Sequence, residues 1–326
     1  MRFGAIRASD RPGGALLGLL VDDELRIPEG GRTLLDLLRD DGDAIDAFAD
    51  DALSDPALRV PIAEASLASP LPNPPTVRDF MTFEGHTIGG MGRGDASAVA
   101  PAWWEIPTFY FTNPYAICGP QDDVPLAPGT ERFDYEVEVA AIIGRAGHNL
   151  TLEEARSHIA GYSLFVDWSA RDIQMHEMTI GLGPAKGKDT VSTLGPWFVT
   201  ADEIDALTDS ARVDLPLTVS VNGVRTGAGN LREMAWEFAA LVSYASRGTW
   251  VMPGDVLGSG TCDDGCLAER WGRQGPDSAP PLAVGDVVEI DGGLLGRATH
   301  RIVASAPRHP LPGARPGAHE RSTHHV

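Results

Sequence analysis

The chain has 326 residues, 43% of them hydrophobic and 22% charged, the make-up of a globular protein of about two domains, and this excludes wholesale disorder. Lysine and arginine number 26 against 46 aspartates and glutamates, a net charge of −20, which argues against phosphate backbones and anionic lipid as partners.

Met1-Arg2-Phe3-Gly4 lacks the long apolar core of a secretion signal, and no apolar run approaches the roughly 18 residues of a membrane span, so the expectation is a soluble cytoplasmic protein. The opening residues read as a small α/β unit over 1–72: strands at 2–7 and 15–26, then an amphipathic helix over 34–48. Asp40, Asp41, Asp43, Asp46, Asp50 and Asp51 make its solvated acidic face. Clustered prolines in Ser69-Pro70-Leu71-Pro72-Asn73-Pro74-Pro75 forbid helix and mark a boundary.

The next unit, over 73–306, is β-rich. Short β-branched and aromatic runs at 108–111, 135–144, 161–166, 197–199, 217–221 and 287–290 read as strands between Gly and Pro turns. Helices are expected at 152–160, 170–178, 201–206 and 231–245, too irregularly for a βαβ succession, so the fold class is α+β. The Pro- and His-rich stretch 307–326 reads as a disordered tail, whose His319, His324 and His325 would chelate metal only adventitiously. Cys118, Cys262 and Cys266 cannot all pair. Cys262-Asp263-Asp264-Gly265-Cys266 lacks the second ligand pair of a structural zinc site, so free thiols are expected.

Chemistry gathers in the middle of the chain. In Tyr135-Glu136-Val137-Glu138, period-two geometry puts both carboxylates on one face of a strand, where they either meet solvent or hold a hard divalent cation. Asp167 ends an apolar run, as turn chemistry or as a further oxygen ligand. Ser169-Ala170-Arg171-Asp172 has the look of a helix-start capping box, which places Arg171 and Gln174 on one helical face beside it. Asp79 precedes Phe83-Glu84-Gly85-His86-Thr87, which brings in a histidine suited to act as a base near neutral pH, unless it is simply structural. Gly181-Leu182-Gly183-Pro184-Ala185-Lys186-Gly187-Lys188-Asp189 invites a phosphate-loop reading but fails it, with Leu182 where glycine is needed and Asp189 where Ser or Thr is needed. A buried lysine near the carboxylates and a solvated charged turn both remain open for this segment.

Together Arg78-Asp79-Phe80…His86, Phe133-Asp134-Tyr135-Glu136-Val137-Glu138, Asp167-Trp168-Ser169-Ala170-Arg171-Asp172-Ile173-Gln174, Gly187-Lys188…Gly195-Pro196-Trp197, Pro253-Gly254-Asp255 and Gly258-Ser259-Gly260-Thr261 resemble the fumarylacetoacetate hydrolase family. The resemblance implies a mixed β-sandwich roll, a homodimer, and one divalent cation, Mg²⁺ first with Mn²⁺ or Ca²⁺ as alternatives, on Asp79, Glu136, Glu138 and Asp167. It implies His86 as general base oriented by Glu269, with Lys188, Arg171 and Gln174 stabilising developing charge and Tyr110 and Thr261 touching substrate. Lys186 is the alternative lysine. The substrate class implied is a β-diketone or acylpyruvate-like oxo acid cleaved at a carbon-carbon bond by water. A 2-oxo acid decarboxylase, hydratase or tautomerase acting through the same enolate is the alternative. Two positions depart from the pattern: Met81 stands where many members carry tyrosine, and Gly85 where they carry glutamine. Arg93 is the one candidate for a substrate-binding arginine.

Overall fold

The computed structural model describes residues 1–7, 14–40, 43–91, 94–209 and 212–315, so Arg93, Asp41 and the histidines beyond 315 lie outside the described residues. The architecture is α+β, with no closed barrel among the described residues. Its axis is the strand Val137–Ile143, buried at every residue. Ala140 and Ile142 face one apolar cluster with Phe3, Leu17, Phe48, Phe165 and Phe198. Val139, Ala141 and Ile143 face another, shared with Leu217, Val219, Val288 and Ile302 of a second, five-stranded sheet. Burial on both faces explains why this strand shows no alternation of apolar and polar residues in its second half.

Strand pairing carries the candidate residues to one place. Val137–Ile143 runs antiparallel to Ile159–Asp167, with Val137 opposite Val166, and on its other side to Val256–Gly258, with Ala140 opposite Gly258. The strand Val77–Phe80 then lies parallel to Val256–Gly258, Asp79 opposite Gly258, and Phe109–Thr112 closes the edge with Tyr110 opposite Asp79. Since alternate residues share a face, Asp79, Glu138 and Asp167 project on the face that Val77, Ala140 and Phe165 line with apolar side chains further along.

The first 72 residues join this sheet directly, because Arg2–Arg7 pairs with Trp197–Thr200, Phe3 opposite Phe198. Two elements there differ from expectation. Asp22, with φ of 54°, turns the chain and divides the expected 15–26 strand into Ala15–Val21 and Glu24–Ile27. The expected 34–48 helix is two helices, Leu34–Arg39 and Ala44–Ser54, since Asp40 is already extended and Asp43 restarts the chain. Further on, the expected 152–160 helix stops at Arg156 and gives way to the strand Ile159–Asp167. The expected 231–245 helix is a single 3-10 turn, Leu231–Glu233, followed by Phe238–Ala245. The strands Val224–Asn230 and Arg297–Val303 and the helix Leu267–Gln274 had no sequence signal strong enough to place them.

Phe3 is fully buried, its ring 6.1 Å from those of Phe48 and Phe198. Phe3→Ala is expected to cost about 3–5 kcal/mol. Because the sheet is continuous, urea unfolding followed by tryptophan fluorescence and by circular dichroism should shift as one transition in both signals.

Candidate active site

Four carboxylates meet at the end of the sheet. Ligand oxygens of Asp79, Glu136 and Glu138 all lie within 4.8 Å of one another. Asp167 joins them through Lys188, whose ammonium lies 2.6 Å from Asp167 Oδ2 and also bonds Glu136 Oε2. Tyr110 sits between Asp79 and Asp167, its hydroxyl 2.8 Å from Asp79 Oδ2 and bonded also to Asp167 Oδ2. One phenolic proton cannot serve two carboxylates, so a second proton or a cation must be shared in this group. Glycine is required at 258, between the acids, since a Cβ there would stand 2.5 Å from Asp79 Oδ1 and 3.0 Å from Glu138 Oε2.

Burial raises the carboxyls of Asp79, Glu138 and Asp167 above the ordinary range; Asp79 and Glu136 reinforce this at Glu138, and Glu136 does so at Asp167, where Lys188 works against it. At Glu136 burial acts in the same direction, yet Arg171 and Lys188 overcome it and hold the group well below the usual value. Arg171 Nη2 lies 2.7 Å from Glu136 Oε1 and 2.8 Å from Asp134 Oδ2, and its Nη1 donates to Gln174 Oε1 at 3.2 Å. Among the described residues, Asp79 Oδ1, Glu138 Oε1 and Asp167 Oδ1 are buried without a hydrogen-bond partner. Three orphaned carboxylate oxygens in one cluster are a donor set for a hard divalent cation, and the residues present fit one.

Beside the carboxylates, His86 Nδ1 meets Glu269 Oε1 at 3.0 Å, and His86 Nε2 faces Glu136 Oε1 at 3.8 Å. Both side chains are buried. The pair is held from several directions. His86 N–H donates to Asp263 Oδ1 at 2.8 Å, while Glu269 Oε2 accepts from Asp264 N–H at 3.0 Å and from Arg273 Nη2 at 2.8 Å. Gly85 is explained by the same contact, since a Cβ there would collide with the Asp263 carboxylate at 2.5 Å. Thr261 is buried in the turn whose Gly260 N–H donates to Glu138 Oε2 at 2.9 Å. Met81 turns its backbone oxygen to Trp103 Nε1.

Lysine 188 is 4% exposed and Lys186 is 67% exposed, paired with Asp189, so the structure brings Lys188 to the carboxylates and leaves Lys186 on the surface. Ser169-Ala170-Arg171-Asp172 is not a capping box. The helix Arg171–Met178 has Ala170 at its cap without a side-chain bond, and Ser169 pairs with Asp134 in a short ladder.

Sequence reasoning missed two supports, one buried and one half-buried. Asp134 accepts from the N–H groups of Leu267 and Ala268, at 2.8 and 3.0 Å, and so ties the helix that carries Glu269 to Arg171. Glu177 accepts from the N–H groups of Ala185, Lys186 and Gly187, at 2.9, 2.9 and 3.0 Å. The glycine-rich loop is therefore an anion cradle, but its anion is a side chain of the same chain. Its carbonyl at Gly187 in turn accepts from Ala170 N–H at 2.8 Å, with Gly187 packed where a Cβ would lie 2.6 Å from Gln174 N.

Two outcomes follow from this geometry. Groups whose folded-state acidity is weakened stabilise the cation-free protein fully below the ordinary carboxylate range and lose that contribution as pH rises through their folded values. Asp79, Glu138 and Asp167 are such groups, so the rise in Tm given by Mg²⁺ or Mn²⁺ should grow from about pH 5 to about pH 8. Glu138→Gln should shrink the rise and flatten its pH dependence in scanning calorimetry. Glu177→Ala should free the loop that carries Lys188, cutting kcat by roughly tenfold, an expected loss near 1.4 kcal/mol, with Glu177→Gln intermediate and Tm changed little.

The family model described as fumarylacetoacetate (FAA) hydrolase C-terminal matches residues 84–303. A Burkholderia ambifaria protein named as a hydrolase is 33% identical over 228 residues, 69% of this chain and 78% of its own. A 2,4-didehydro-3-deoxy-L-rhamnonate hydrolase of Sphingomonas sp. is 35% identical over 191 residues, 59% of this chain and 62% of its own. Among solved structures, a fumarylacetoacetate hydrolase from Exiguobacterium antarcticum is 25% identical with a TM-score of 0.71, covering 93% of this chain and 99% of that one. The maleylpyruvate hydrolase of Sphingobium sp. SYK-6, solved with manganese(II) and pyruvate, shares the fold at 22% identity and a TM-score of 0.68, over 94% and 100% of the two chains.

Proposed function

Because the chain belongs to the fumarylacetoacetate hydrolase family, we propose that it is a divalent-metal-dependent hydrolase cleaving a carbon-carbon bond in a β-diketone or acylpyruvate-like substrate. The observation that carries this reading is the buried His86–Glu269 pair, 3.0 Å apart, set beside a carboxylate cluster with three orphaned oxygens. Hydrolysis needs an activated water, and isomerisation or decarboxylation does not.

Asp79, Glu136, Glu138 and Asp167 would hold the cation, Mg²⁺ first and Mn²⁺ or Ca²⁺ otherwise. When bound it would supply Lewis acidity to a chelating pair of substrate oxygens. The side chains do the rest. Glu269 accepts from His86 Nδ1–H and fixes the tautomer that leaves a lone pair on Nε2, the atom turned towards the carboxylates. His86 Nε2 then takes a proton from water, whose oxygen attacks the substrate carbonyl, and the imidazolium returns a proton to the departing carbon. Glu269 acts through the histidine and is a positioning residue. Gln174 keeps its amide N–H groups for a developing oxyanion, because only its Oε1 is engaged by Arg171. Lys188 and Arg171 set the positive charge against which the carboxylates and the oxyanion are balanced. Tyr110 and Thr261 complete the substrate wall in this reading. Met81 presents no hydroxyl there, so a neutral or monoacidic diketone is preferred to one with a second carboxylate.

The test is a panel of acylpyruvates, β-diketones and oxaloacetate, with products identified by mass. Chelator should abolish turnover and Mg²⁺ or Mn²⁺ restore it, and Glu138→Ala should lose metal and turnover together. His86→Ala, Glu269→Gln and the double variant should each cost about 10²–10⁴ in rate, with little added by the second change. Water incorporated nowhere, or hydrolysis undiminished in His86→Ala, would overturn the proposal.

A further inference from the structure

The His86–Glu269 pair has a third neighbour for which water activation has no use. Cys266 Sγ lies 3.6 Å from His86 Nδ1 and 3.8 Å from Glu269 Oε1, and all three side chains are buried. We infer that His86 Nδ1, Cys266 Sγ and Glu269 Oε1 form a second metal site, one for a borderline transition-metal cation of the Zn²⁺ class, and that filling it switches the enzyme off. The inhibitory half rests on the reading of His86 as base; the binding half does not.

Donor chemistry separates this site from the carboxylate cluster. Nitrogen and sulfur suit Zn²⁺ and Co²⁺, while Mg²⁺ and Ca²⁺ seek oxygen, so a hard cation does not compete here. Donor spacing fits as well. With bonds of about 2.0–2.1 Å to nitrogen or oxygen and about 2.3 Å to sulfur, a tetrahedral ion sets its donors about 3.3–3.6 Å apart. The three separations here are 3.0, 3.6 and 3.8 Å, so shifts of a few tenths of an ångström complete the set. Rigidity favours it too. His86 is fixed by its N–H on Asp263, Cys266 stands at the N-cap position of the helix Leu267–Gln274, bridged to Glu136 by its backbone, and Glu269 has its other oxygen committed to Asp264 and Arg273, which leaves Oε1 for the ion. Three protein donors leave a fourth position open.

The consequence for His86 is a change of tautomer. With Nδ1 on the ion, the one ring proton of the neutral imidazole moves to Nε2, and the lone pair that would take a proton from water is gone. Cys266 gives up its thiol proton to solvent, so one proton is released per ion bound.

The experiment uses the full chain with Mg²⁺ or Mn²⁺ saturating. Co²⁺ is titrated as the spectroscopic probe, and Zn²⁺ as the competing ion and inhibitor. One equivalent of Co²⁺ should give a thiolate-to-cobalt absorption band in the near ultraviolet, which Zn²⁺ bleaches. The band should vanish in both Cys266→Ala and Cys266→Ser and persist in Cys118→Ser, the control at a remote thiol. Zinc inhibition of turnover should weaken by roughly tenfold or more in the Cys266 variants, a transfer of about 1.4 kcal/mol, with their zinc-free turnover retained. No band in the wild-type chain, or a band surviving Cys266→Ala, would overturn the site. A Cys266-dependent band without inhibition would overturn the switch, while His86 as base stands or falls on His86→Ala. The band does not depend on any substrate, so it decides the site even if the panel yields no turnover.

Discussion

Charge crowding in a dry place governs this molecule. Asp79, Glu136, Glu138 and Asp167 are each almost wholly buried, and Coulomb repulsion among them is weakly screened there. Lys188 and Arg171 offset part of it, and the supporting structure exists largely to keep those two cations in place. Asp134 holds Arg171 from behind, and Glu177 holds the loop that delivers Lys188. What the two cations leave uncompensated is the set of orphaned oxygens, and that remainder is the charge the proposed divalent ion would neutralise.

The carboxylates were legible because strand parity is a local rule. Glu136 and Glu138 share a face whatever packs around them, and the apolar run after them marks the strand as buried. The β-rich character of residues 73–306 was legible for the same reason. Asp134 was not, although it sits in the same motif, since nothing local distinguishes a carboxylate that will cap a helix more than 130 residues later in the chain. The helix Leu267–Gln274 was missed because its start is capped by that distant aspartate and not by its own residues.

The glycine-rich loop teaches a different lesson. Its residues advertise an anion cradle, and the structure contains one, yet the requirement is met by Glu177 on the preceding helix. Composition told what the backbone would bind but not from where. Choosing between Lys186 and Lys188 was likewise beyond the sequence, because two lysines two residues apart in a turn differ only in what they pack against. The division of the 34–48 helix and of the 15–26 strand turned on single residues, Asp40 and Asp22, whose backbone angles no periodicity records.

The register that assembles the site also sets when it can exist. Asp79 reaches Glu138 only through Gly258, a pairing that closes a very long loop, and Asp167 arrives by a separate ladder. Such non-local pairings repay their loop-closure entropy only once their contacts are made. Repulsion among the acids is therefore met only where those ladders have joined. The corollary is kinetic: an ion held there must be shed before the sheet can open, so it slows unfolding to the extent that its cage is not yet assembled at the transition state.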